Sequence, residues 1–478
     1  MISDIKYSKS PAYRDDRCPP TQGETKHATQ NACKMCAPLG ASLAFAGIKG
    51  CISILHGSQG CATYIRRYLI SHFREPMDIA SSSFSEEDAV FGGGRNLKLG
   101  IDNVSEAYGP EVIGVATTCL AETIGEDVPQ ILREYRESKA DAATELPFFI
   151  QVSTPSYTGD HWGGFHKTVR AIIEHAAALP STNRNHDGAP VLLLPGMLSC
   201  EDFRYLKRVF KDFALPCTLT PDYSDTLDGG SWSSYQRIPQ GGTPIQAVRD
   251  AYESGNVITL GAVSSYAEGN AGAYLEDKFS SECYRLPLPI GIRATDTLFE
   301  TLAKLSDSPV PEHFTTERAR LVDSYVDGHK YLSGKKAVVY ADPDLLTGLV
   351  SFLSETGIRV VAAVAGSKCA DLENTLRKHL PSRSVMPERI VSNADHAVIA
   401  TLCRELEPDL IVGNSKGYPI SRELDIPLVR CGMPIHDRVG AQRILHLGYE
   451  GAQRLYDNVV NTLMQHRQDE NEIGFSYL

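Results

Sequence analysis

Three cysteines are candidates for chemistry because each lies at the end of a predicted strand or helix. Cys36 precedes Ala-Pro-Leu-Gly, Cys61 closes His-Gly-Ser-Gln-Gly-Cys, and Cys119 closes Thr-Thr-Cys. Their separations, 61 − 36 = 25 and 119 − 61 = 58 residues, match neither the Cys-x-x-Cys spacing of zinc sites nor the close-packed ferredoxin run. Widely spaced loop thiols suit one larger iron–sulfur cluster, since thiolate is the soft ligand that such iron takes.

The number of these cysteines bears on how a cluster would be completed. Glycines beside two of them allow close backbone approach and N–H donation to sulfide. Three cysteines are one short of the usual four thiolates. The remaining ligand is therefore another residue type or comes from a second chain.

The composition indicates a soluble protein. The N-terminal stretch MISDIKYSKSPAYRDDRCPP has no apolar core of a secretion signal, and no apolar run approaches the roughly 18 residues that span a bilayer. We therefore expect a cytoplasmic protein whose 12 cysteines are thiols or metal ligands rather than disulfides. A net charge of −12 without any Lys/Arg-rich block argues against nucleic-acid binding.

The chain of 478 residues is too long for one core and predicts two to four domains. Residues 1–30, rich in Pro, Ser, Thr and charge, are predicted to form an N-terminal arm. Beyond them, strand-type and helix-type patterns alternate, which predicts an α/β protein with parallel sheets covered by helices. We divide this part into units 31–180, which carries the three cysteines, 181–330, and 331–478, which ends in a short tail.

The predicted strands place the candidate residues. They cover residues 51–57, 111–119, 146–153, 190–196, 256–263, 335–342, 358–366, 408–414 and 426–432. In parallel sheets, functional groups lie in loops at the carboxyl ends of strands. Cys61, Cys119 and Ser156 each occupy such a position.

Longer motifs add a family resemblance. The chain contains, in order, CAPLGA, HGSQGC, HFREP, SEEDAVFGG, TTCLAETIG, TPSYTG, ERARLVD, DPDLLTGLVSFL, IVGNSKG, PIHDRVG and LGYEGA. With these motifs it resembles the beta subunit of the nitrogenase catalytic component over essentially everything after residue 31. The resemblance implies three Rossmann-like domains, an α2β2 heterotetramer with a homologous alpha subunit, and transient docking of an ATP-dependent iron protein.

The resemblance also implies the cofactor and its ligands. Family members share an 8Fe–7S P-cluster between the alpha and beta subunits. The beta-side ligands map onto Cys36, Cys61, Cys119 and Ser156, and the serine binds iron only in the oxidised cluster. A Thr-Pro-Ser turn with a capping hydroxyl is the alternative interpretation of Ser156.

Other residues receive smaller roles. Cys33 is interpreted as a bystander or as a thiol that lies beside the ligands, and His56 as a residue that holds its loop by hydrogen bonds. Tyr64 matches a residue near the electron path of the family but equally fits a core aromatic. The remaining cysteines after residue 36 are expected to be structural: Cys51, Cys200, Cys217, Cys283, Cys369, Cys403 and Cys431.

A divalent-ion site between beta subunits is a weaker implication of the resemblance. Arg74 and Glu75 match one side of that site. Arg293 stands where another acid is expected, which puts the ion in doubt.

No catalytic residue is assigned to this chain. The alpha-type cysteine that holds the active-site metallocluster would fall near Ser264, where there is none, and the alpha-type histidine near His436, which lies in a beta-type context. The chain also lacks the Walker loop of ATP-binding proteins. The resemblance therefore implies an electron-relaying subunit.

Two other functions remain open. NACKMCAPLGASLAF also resembles cofactor-assembly scaffold subunits, which hold a simpler 4Fe–4S cluster, whereas the complete ligand set favours a working reductase. Tetrapyrrole reductases have different ligand patterns. For the reductase, the substrate is dinitrogen or a small organic sulfide, as in methylthio-alkane reductases, and the alpha subunit chooses it.

Overall fold

The computed structural model describes residues 33–140, 146–181, 189–252 and 255–471. The predicted arm and nearly all of the predicted tail lie outside these ranges. In the described residues the strands form three sheets, and every strand pair is parallel. This confirms the predicted α/β class; the domain boundaries stay a prediction. Among the same residues, no helix combines the length and the apolar character that crossing a bilayer requires.

The first sheet has the strand order β2-β1-β3-β4. Its strands are β1 (Cys51–His56), β2 (Ile79–Ser81), β3 (Val112–Thr117) and β4 (Phe148–Val152). The helices in this part of the chain are α1 (Ala37–Ala46), α2 (Gln59–Phe73), α3 (Asp88–Phe91), α4 (Gly94–Tyr108), α5 (Cys119–Thr123), α6 (Val128–Ser138) and α7 (His161–Ala176).

The second sheet has the order β6-β5-β7-β8. Its strands are β5 (Val191–Leu194), β6 (Cys217–Leu219), β7 (Asn256–Leu260) and β8 (Glu282–Leu286). The accompanying helices are α8 (Cys200–Asp212), α9 (Ile245–Ala251), α10 (Ala271–Phe279), α11 (Ile292–Ser306) and α12 (Glu312–Leu332).

The third sheet has the order β11-β10-β9-β12-β13. Its strands are β9 (Lys336–Ala341), β10 (Arg359–Ala365), β11 (Arg389–Val391), β12 (Leu410–Gly413) and β13 (Leu428–Arg430). The helices are α13 (Pro343–Glu355), α14 (Leu372–His379), α15 (His396–Leu406), α16 (Tyr418–Leu424) and α17 (Gly448–Asp469). The last of these helices packs back against α12 and α11.

The central strands are buried on both faces, as continuous apolar runs predict. Every residue of β3 is buried. On one face of the first sheet, Leu97, Ile101 and Val104 of α4 join α6 in a separate apolar cluster. On the other face, α1 and α7 belong to a larger core that continues through the second and third sheets. The three sheets are therefore held as one packed body.

Helices α1 and α7 approach each other closely because both carry glycine at their contact. A Cβ added at Gly40 would lie 1.8 Å from the carbonyl oxygen of His161, and one added at Gly164 would lie 2.1 Å from that of Ala37. Backbone therefore packs on backbone at this crossing. The crossing fixes the start of α1, where Cys36 is the N-cap residue.

The elements missing from the sequence prediction are mostly short. Strands β2, β6, β8 and β11 all lie at sheet edges, and three of them span only 3 residues. Runs this short carry no periodic pattern. Longer helices were missed as well, namely α4, α11, α12 and α15. The buried residues of α4 at 97, 101 and 104 nevertheless have helical spacing.

Candidate metal centre

The first sheet places two of the candidate cysteines side by side. Strands β1 and β3 are neighbours, and the next strand along the chain lies outside each of them, so the order reverses between them. Ligands of open α/β sheets bind at such a switch point, outside the carboxyl ends of the strands. His56 pairs in register with Thr117, so the loops leading to Cys61 and Cys119 leave the sheet at the same level.

Hydrogen bonds join the segments of Cys36, Cys119 and Ser156. The amide N–H of Ala37, the residue after Cys36, donates to Ser156 Oγ at 3.1 Å. The amide N–H of Ser156 donates to Cys119 Sγ at 3.2 Å. Thr154, just before this turn, exchanges two hydrogen bonds with Thr117. Three of the four predicted residues thus lie on one continuous set of contacts.

The loop before Cys61 is bonded to the segment before Cys119. The N–H and the hydroxyl of Thr118 both donate to the carbonyl oxygen of His56, at 3.0 and 3.1 Å. At Gly57, φ is +154°, and an added Cβ would meet Thr118 Oγ1 at 1.8 Å. Cys61 follows in the first turn of α2, with Ser58 Oγ 3.7 Å from its sulfur.

His56 holds this loop, as predicted. Its Nδ1 lies 3.0 Å from Ser82 Oγ, and its Nε2 lies 3.1 Å from a carboxylate oxygen of Glu126. Burial lowers the pKa of His56 and outweighs the opposing effect of Glu126. The imidazole is therefore a neutral structural group, and the interpretation as a loop-holding residue is confirmed.

Two of the three candidate thiols differ from the other cysteines in exposure. Among the cysteines in the described residues, Cys36 and Cys119 are the exposed ones, and Cys61 is half-buried. Around them, Tyr64 is 58% exposed and Tyr157 is 63% exposed. The core interpretation of Tyr64 is therefore wrong. An outward-facing group of thiols and aromatic rings is typical of a surface that a partner covers.

The remaining cysteines behave as structural thiols. Burial raises the pKa of Cys33, Cys51, Cys283 and Cys403 to about 12. It also raises the pKa values of Cys200, Cys217 and Cys369. A protonated buried thiol is a poor metal ligand.

Cys33 takes part in the anchoring of the Cys36 segment. Its sulfur lies 3.2 Å from His396 Nδ1 at the start of α15. Lys34 Nζ also reaches the side-chain oxygen of Asn393. Both contacts tie the residues before Cys36 to the third sheet's loops.

His161 is a positioning residue that the sequence did not reveal. The main-chain N–H of His161 donates to the carbonyl oxygen of Met35. The main-chain N–H of Met35 in turn donates to the ring nitrogen Nδ1 of His161 at 3.2 Å. The other ring nitrogen lies 3.2 Å from a carboxylate oxygen of Asp342, at the end of β9. This side chain therefore connects the residue before Cys36 to the third sheet.

The possible divalent-ion residues do not meet within one chain. The side chain of Arg74 donates to the carbonyl oxygen of His436 at 2.8 Å. Burial and the nearby Asp228 raise the pKa of Glu75. Arg293 lies elsewhere, with its amide on Glu355. An ion held between two copies of the chain stays a prediction.

Comparison with known proteins identifies the family. The profile described as nitrogenase component 1 type oxidoreductase matches residues 36–464. The chain belongs to the nitrogenase component 1 family. Beta chains of the nitrogenase molybdenum-iron protein are similar to it: that of Clostridium pasteurianum is 34% identical, with 94% of this chain and 96% of the relative covered. That of Klebsiella pneumoniae is 32% identical, covering 93% and 86%.

Solved structures agree with this assignment. A chain of "Nitrogenase Cp1 at pH 6.5" superposes on this component 1 chain with a TM-score of 0.87 and 33% identity, covering 96% of this chain and 99% of the other. A chain of "Nitrogenase Cp1 at pH 5" gives a TM-score of 0.68 at 16% identity, which shows the fold alone. The component 1 chain is thus an oxidoreductase-family protein of the beta-chain type.

Proposed function

We propose that this chain is the beta subunit of a nitrogenase or nitrogenase-like reductase and binds half of an 8Fe–7S P-cluster. Cys36, Cys61 and Cys119 would be its permanent ligands, and Ser156 a ligand of the oxidised cluster. The proposal is supported chiefly by the hydrogen bonds that join the segments of Cys36, Cys119 and Ser156, and by the register of β1 with β3, which brings the loop of Cys61 off the sheet beside that of Cys119.

The residues present fit such a cofactor. Three thiols provide soft ligands, and one hydroxyl provides a hard oxygen. Each cysteine also lies where a helix begins: Cys36 caps α1, Cys61 is in the first turn of α2, and Cys119 starts α5. First-turn amides lack intrahelical partners and favour negative charge. The site can therefore stabilise an anionic cluster on three sides.

The chain's own groups would position and tune that site. The Ser156 N–H, which donates to Cys119 Sγ, withdraws charge from that sulfur and orients it. His56 and Glu126 hold the Cys61 loop, and His161 holds the Cys36 segment. When bound, the cluster would supply electron transfer between the iron protein and the cluster of the alpha subunit.

A second subunit is needed to complete the site. Three thiols fall short of the usual four, and Cys36 and Cys119 are exposed. A homologous alpha subunit placed over this face would supply the remaining ligands and exclude water. We therefore propose the α2β2 heterotetramer, with the iron protein docking transiently.

The cavities at the two positions where alpha-type cluster ligands would fall are small, which supports a relaying role. The cavity beside Ser264, near which an alpha-type cysteine would fall, is about 40 Å³. The cavity beside Met433, close to His436, is about 30 Å³. Ligand pockets typically measure about 300–1,000 Å³. The substrate, dinitrogen or a small organic sulfide, would accordingly bind in the alpha subunit.

The test is iron content and low-temperature EPR of the anaerobically purified complex with its alpha-type partner. An eight-iron interface cluster that is EPR-silent when reduced and gives a signal on oxidation supports the proposal. A four-iron cluster with a simple reduced signal supports the assembly-scaffold alternative instead.

A matched pair of variants tests the ligand assignment. Cys61→Ala should abolish the interface cluster and weaken the tetramer, because the partner's thiolates lose their shared iron. Cys369→Ala, which removes a half-buried thiol elsewhere, should keep the iron. Unchanged iron in Cys61→Ala would refute the assignment.

A further inference from the structure

The second sheet contains a small cavity at its own switch point. In the order β6-β5-β7-β8, strands β5 and β7 are neighbours. The strand that follows β5 in the chain, β6, and the strand that follows β7, β8, lie on opposite sides of this pair. A cavity of about 40 Å³ lies at the carboxyl ends of these strands. Leu194 ends β5 and pairs in register with Thr259 of β7, and both residues line the cavity. This is the position where open α/β sheets bind ligands.

Several buried polar groups at this cavity lack a partner. The hydroxyl groups of Thr220, Thr259 and Ser265 have no hydrogen-bond partner in the described residues. These side chains are at least nine-tenths buried, with residue exposures of 0%, 5% and 3%. All three residues line the cavity. Buried polar groups are normally satisfied, so three orphaned hydroxyls around one space indicate a polar occupant.

The first turn of α10 supplies further donors. Asn270 caps this helix by accepting from the N–H of Ala273 at 2.9 Å. The earlier amides, of Ala271 and Gly272, belong to residues that line the cavity and have no intrahelical acceptor. A Cβ added at Gly272 would lie 3.1 Å from Thr259 Cγ2. The start of α10 therefore packs against the side chain of Thr259 in β7.

The backbone also comes close on the opposite wall. Gly196 has φ +80°, and an added Cβ would lie 3.3 Å from the carbonyl oxygen of Leu260 and 3.7 Å from His166 Cε1. His166 Nε2 is a buried nitrogen without a hydrogen-bond partner among the described residues, and it lies 3.8 Å from a carboxylate oxygen of Asp344. Burial lowers the pKa of His166 against the opposing effects of Asp344 and Asp342. The imidazole is thus neutral and able to donate or accept.

The charges around the cavity favour an anion over a cation. None of the residues that line it carries a carboxylate. Arg170 Nη1 donates to the carbonyl oxygen of Asn270, and Arg285 Nε donates to that of Ser265, both at 3.1 Å. The nearby carboxylate of Asp344 already accepts the amides of Val263 and Ser264. The inner surface therefore presents mainly N–H and O–H donors.

We infer that this cavity binds a small oxyanion, of sulfate size or below, between the orphaned hydroxyls and the start of α10. A water molecule needs roughly 10–15 Å³ of such space, so about 40 Å³ admits a few bonded atoms. Helix N-termini with free amides are established anion sites. The inference concerns the second sheet and does not depend on the proposed cluster.

Crystals of the complex with its alpha-type partner provide the direct test. Selenate, which scatters anomalously, should give a peak in the cavity after soaking. The peak should disappear in Thr259→Val and persist in Thr295→Val, which alters an equally buried threonine whose hydroxyl bonds to Gly291 O at 2.6 Å. Ordered water without selenate in the unaltered complex would overturn the inference.

Thermal melting gives an independent readout. Sulfate should raise the melting temperature beyond a sodium chloride control of equal ionic strength. Thr259→Val should need about tenfold more sulfate for half the effect, because one hydrogen bond to an anion is lost. An identical sulfate response in Thr259→Val and the unaltered complex would overturn the inference.

The same variants test whether the Thr259 hydroxyl has a hydrogen-bond partner within the protein. In buffer without oxyanions, Thr259→Val should melt no lower than the unaltered complex, because no protein hydrogen bond is lost. Thr295→Val should melt lower, because it loses one. Equal destabilisation of both variants would show that Thr259 already has a partner and would contradict the inference.

Discussion

Ser156 makes two contacts of different kind beside the candidate cluster. Its main-chain N–H donates to Cys119 Sγ, whereas its side-chain oxygen accepts from Ala37. Substitution by alanine removes only the second contact. The two roles can therefore be separated by a single change.

Ser156→Ala should leave the iron content of the complex intact and alter the EPR signal and potential of the oxidised cluster alone. Its effect on stability should be about 1 kcal/mol, the contribution of one hydrogen bond. Ser58→Ala, which removes the hydroxyl 3.7 Å from Cys61 Sγ, is the control and should keep the oxidised signal. Loss of iron from Ser156→Ala would mean that the serine is a permanent ligand or a structural requirement.

At this scale the sequence predicted the candidate ligands but not the residues that position them. The cysteines lie in recognisable local motifs, so their positions follow from short stretches. His161 and Glu126 act on groups 126 and 70 residues away. Such pairs depend on strand order, and a single sequence carries no local signal for it.

Helix α1 carries Cys36 at its start, and its position depends on the glycine contact with α7. Gly40→Ala should push the two helices apart, because the new Cβ would meet the His161 backbone at 1.8 Å. We expect a loss of about 1–3 kcal/mol or more of stability and reduced iron. Melting curves and iron analysis of the purified complex measure both.

Gly60→Ala is the matched control for that experiment. Gly60 lies in α2 directly before Cys61, and an added Cβ would meet nothing within 4 Å. Alanine in a helix is favoured over glycine by about 0.5–1 kcal/mol. This variant should therefore keep its iron and be as stable as the unaltered complex or more so. Equal behaviour of both glycine variants would contradict the packing argument.

At the scale of elements, the strands were predicted where their apolar pattern was long enough to recognise. The central strands β3, β9 and β10 span 6 or 7 residues, most of them buried, and each was predicted. The edge strands that were missed are too short to show such a pattern. Their pairing is decided by the neighbouring strand, which the local sequence does not show.

A buried ion pair joins distant parts of the molecule. His446 Nδ1 lies 2.8 Å from a carboxylate oxygen of Asp202 in α8, and Asp202 also accepts the amides of His446 and Leu447. Burial alone would lower the pKa of His446, but Asp202 and the adjacent Cys431 outweigh it and raise the pKa to about 10 from 6.5. The histidine is therefore charged at neutral pH.

The raised pKa fixes the direction of a pH effect. The pair's contribution to stability is full below the unfolded pKa of 6.5 and is lost as pH rises toward about 10. His446→Gln should cost about 3–5 kcal/mol near neutral pH, because Asp202 loses its partner. The melting difference between variant and unaltered complex should narrow as pH approaches about 10.

An exposed pair serves as the control for the pH experiment. His313 and Asp212 lie 3.2 Å apart with side-chain exposures of 51% and 41%. His313→Gln should change stability by less than about 1 kcal/mol. A His446→Gln penalty that stays constant across the pH range would show that the histidine is not charged in the folded protein.

Two exposed apolar side chains lie near the surface that carries Cys36, Cys61 and Cys119, where the proposed iron protein would dock. Val90 and Phe91 are 75% and 82% exposed. They precede Gly93, whose N–H donates at 2.7 Å to Glu126, the partner of His56. Because the proposed alpha subunit would cover the thiols themselves, we expect the iron protein to dock beside them, at Val90 and Phe91.

Phe91→Ala should raise the iron-protein concentration needed for half-maximal electron transfer by about tenfold, the effect of losing one aromatic anchor. Iron content should not change. Val326→Ala, which shortens a side chain 71% exposed on α12, should leave the transfer unaltered. Equal transfer by the Phe91 variant would place the docking surface elsewhere.

At the scale of the whole molecule, the alternation of patterns predicted three α/β units but not how they join. The final helix α17 packs on α12 and α11 rather than on its own sheet alone. Asp202 and His446 are 244 residues apart. These contacts arise from the packing of completed units, so no local stretch of sequence predicts them.

The exposure of Cys36 and Cys119 also has a consequence for biosynthesis. Before it assembles with the proposed alpha subunit, the free chain has accessible thiols. Peroxide converts such thiols to sulfenic acid and then irreversibly to sulfinic acid. Matched synthesis rates of the two subunits would keep that waiting pool small. In an aerobic cell, an excess of this chain would accumulate as oxidised material unable to enter the complex.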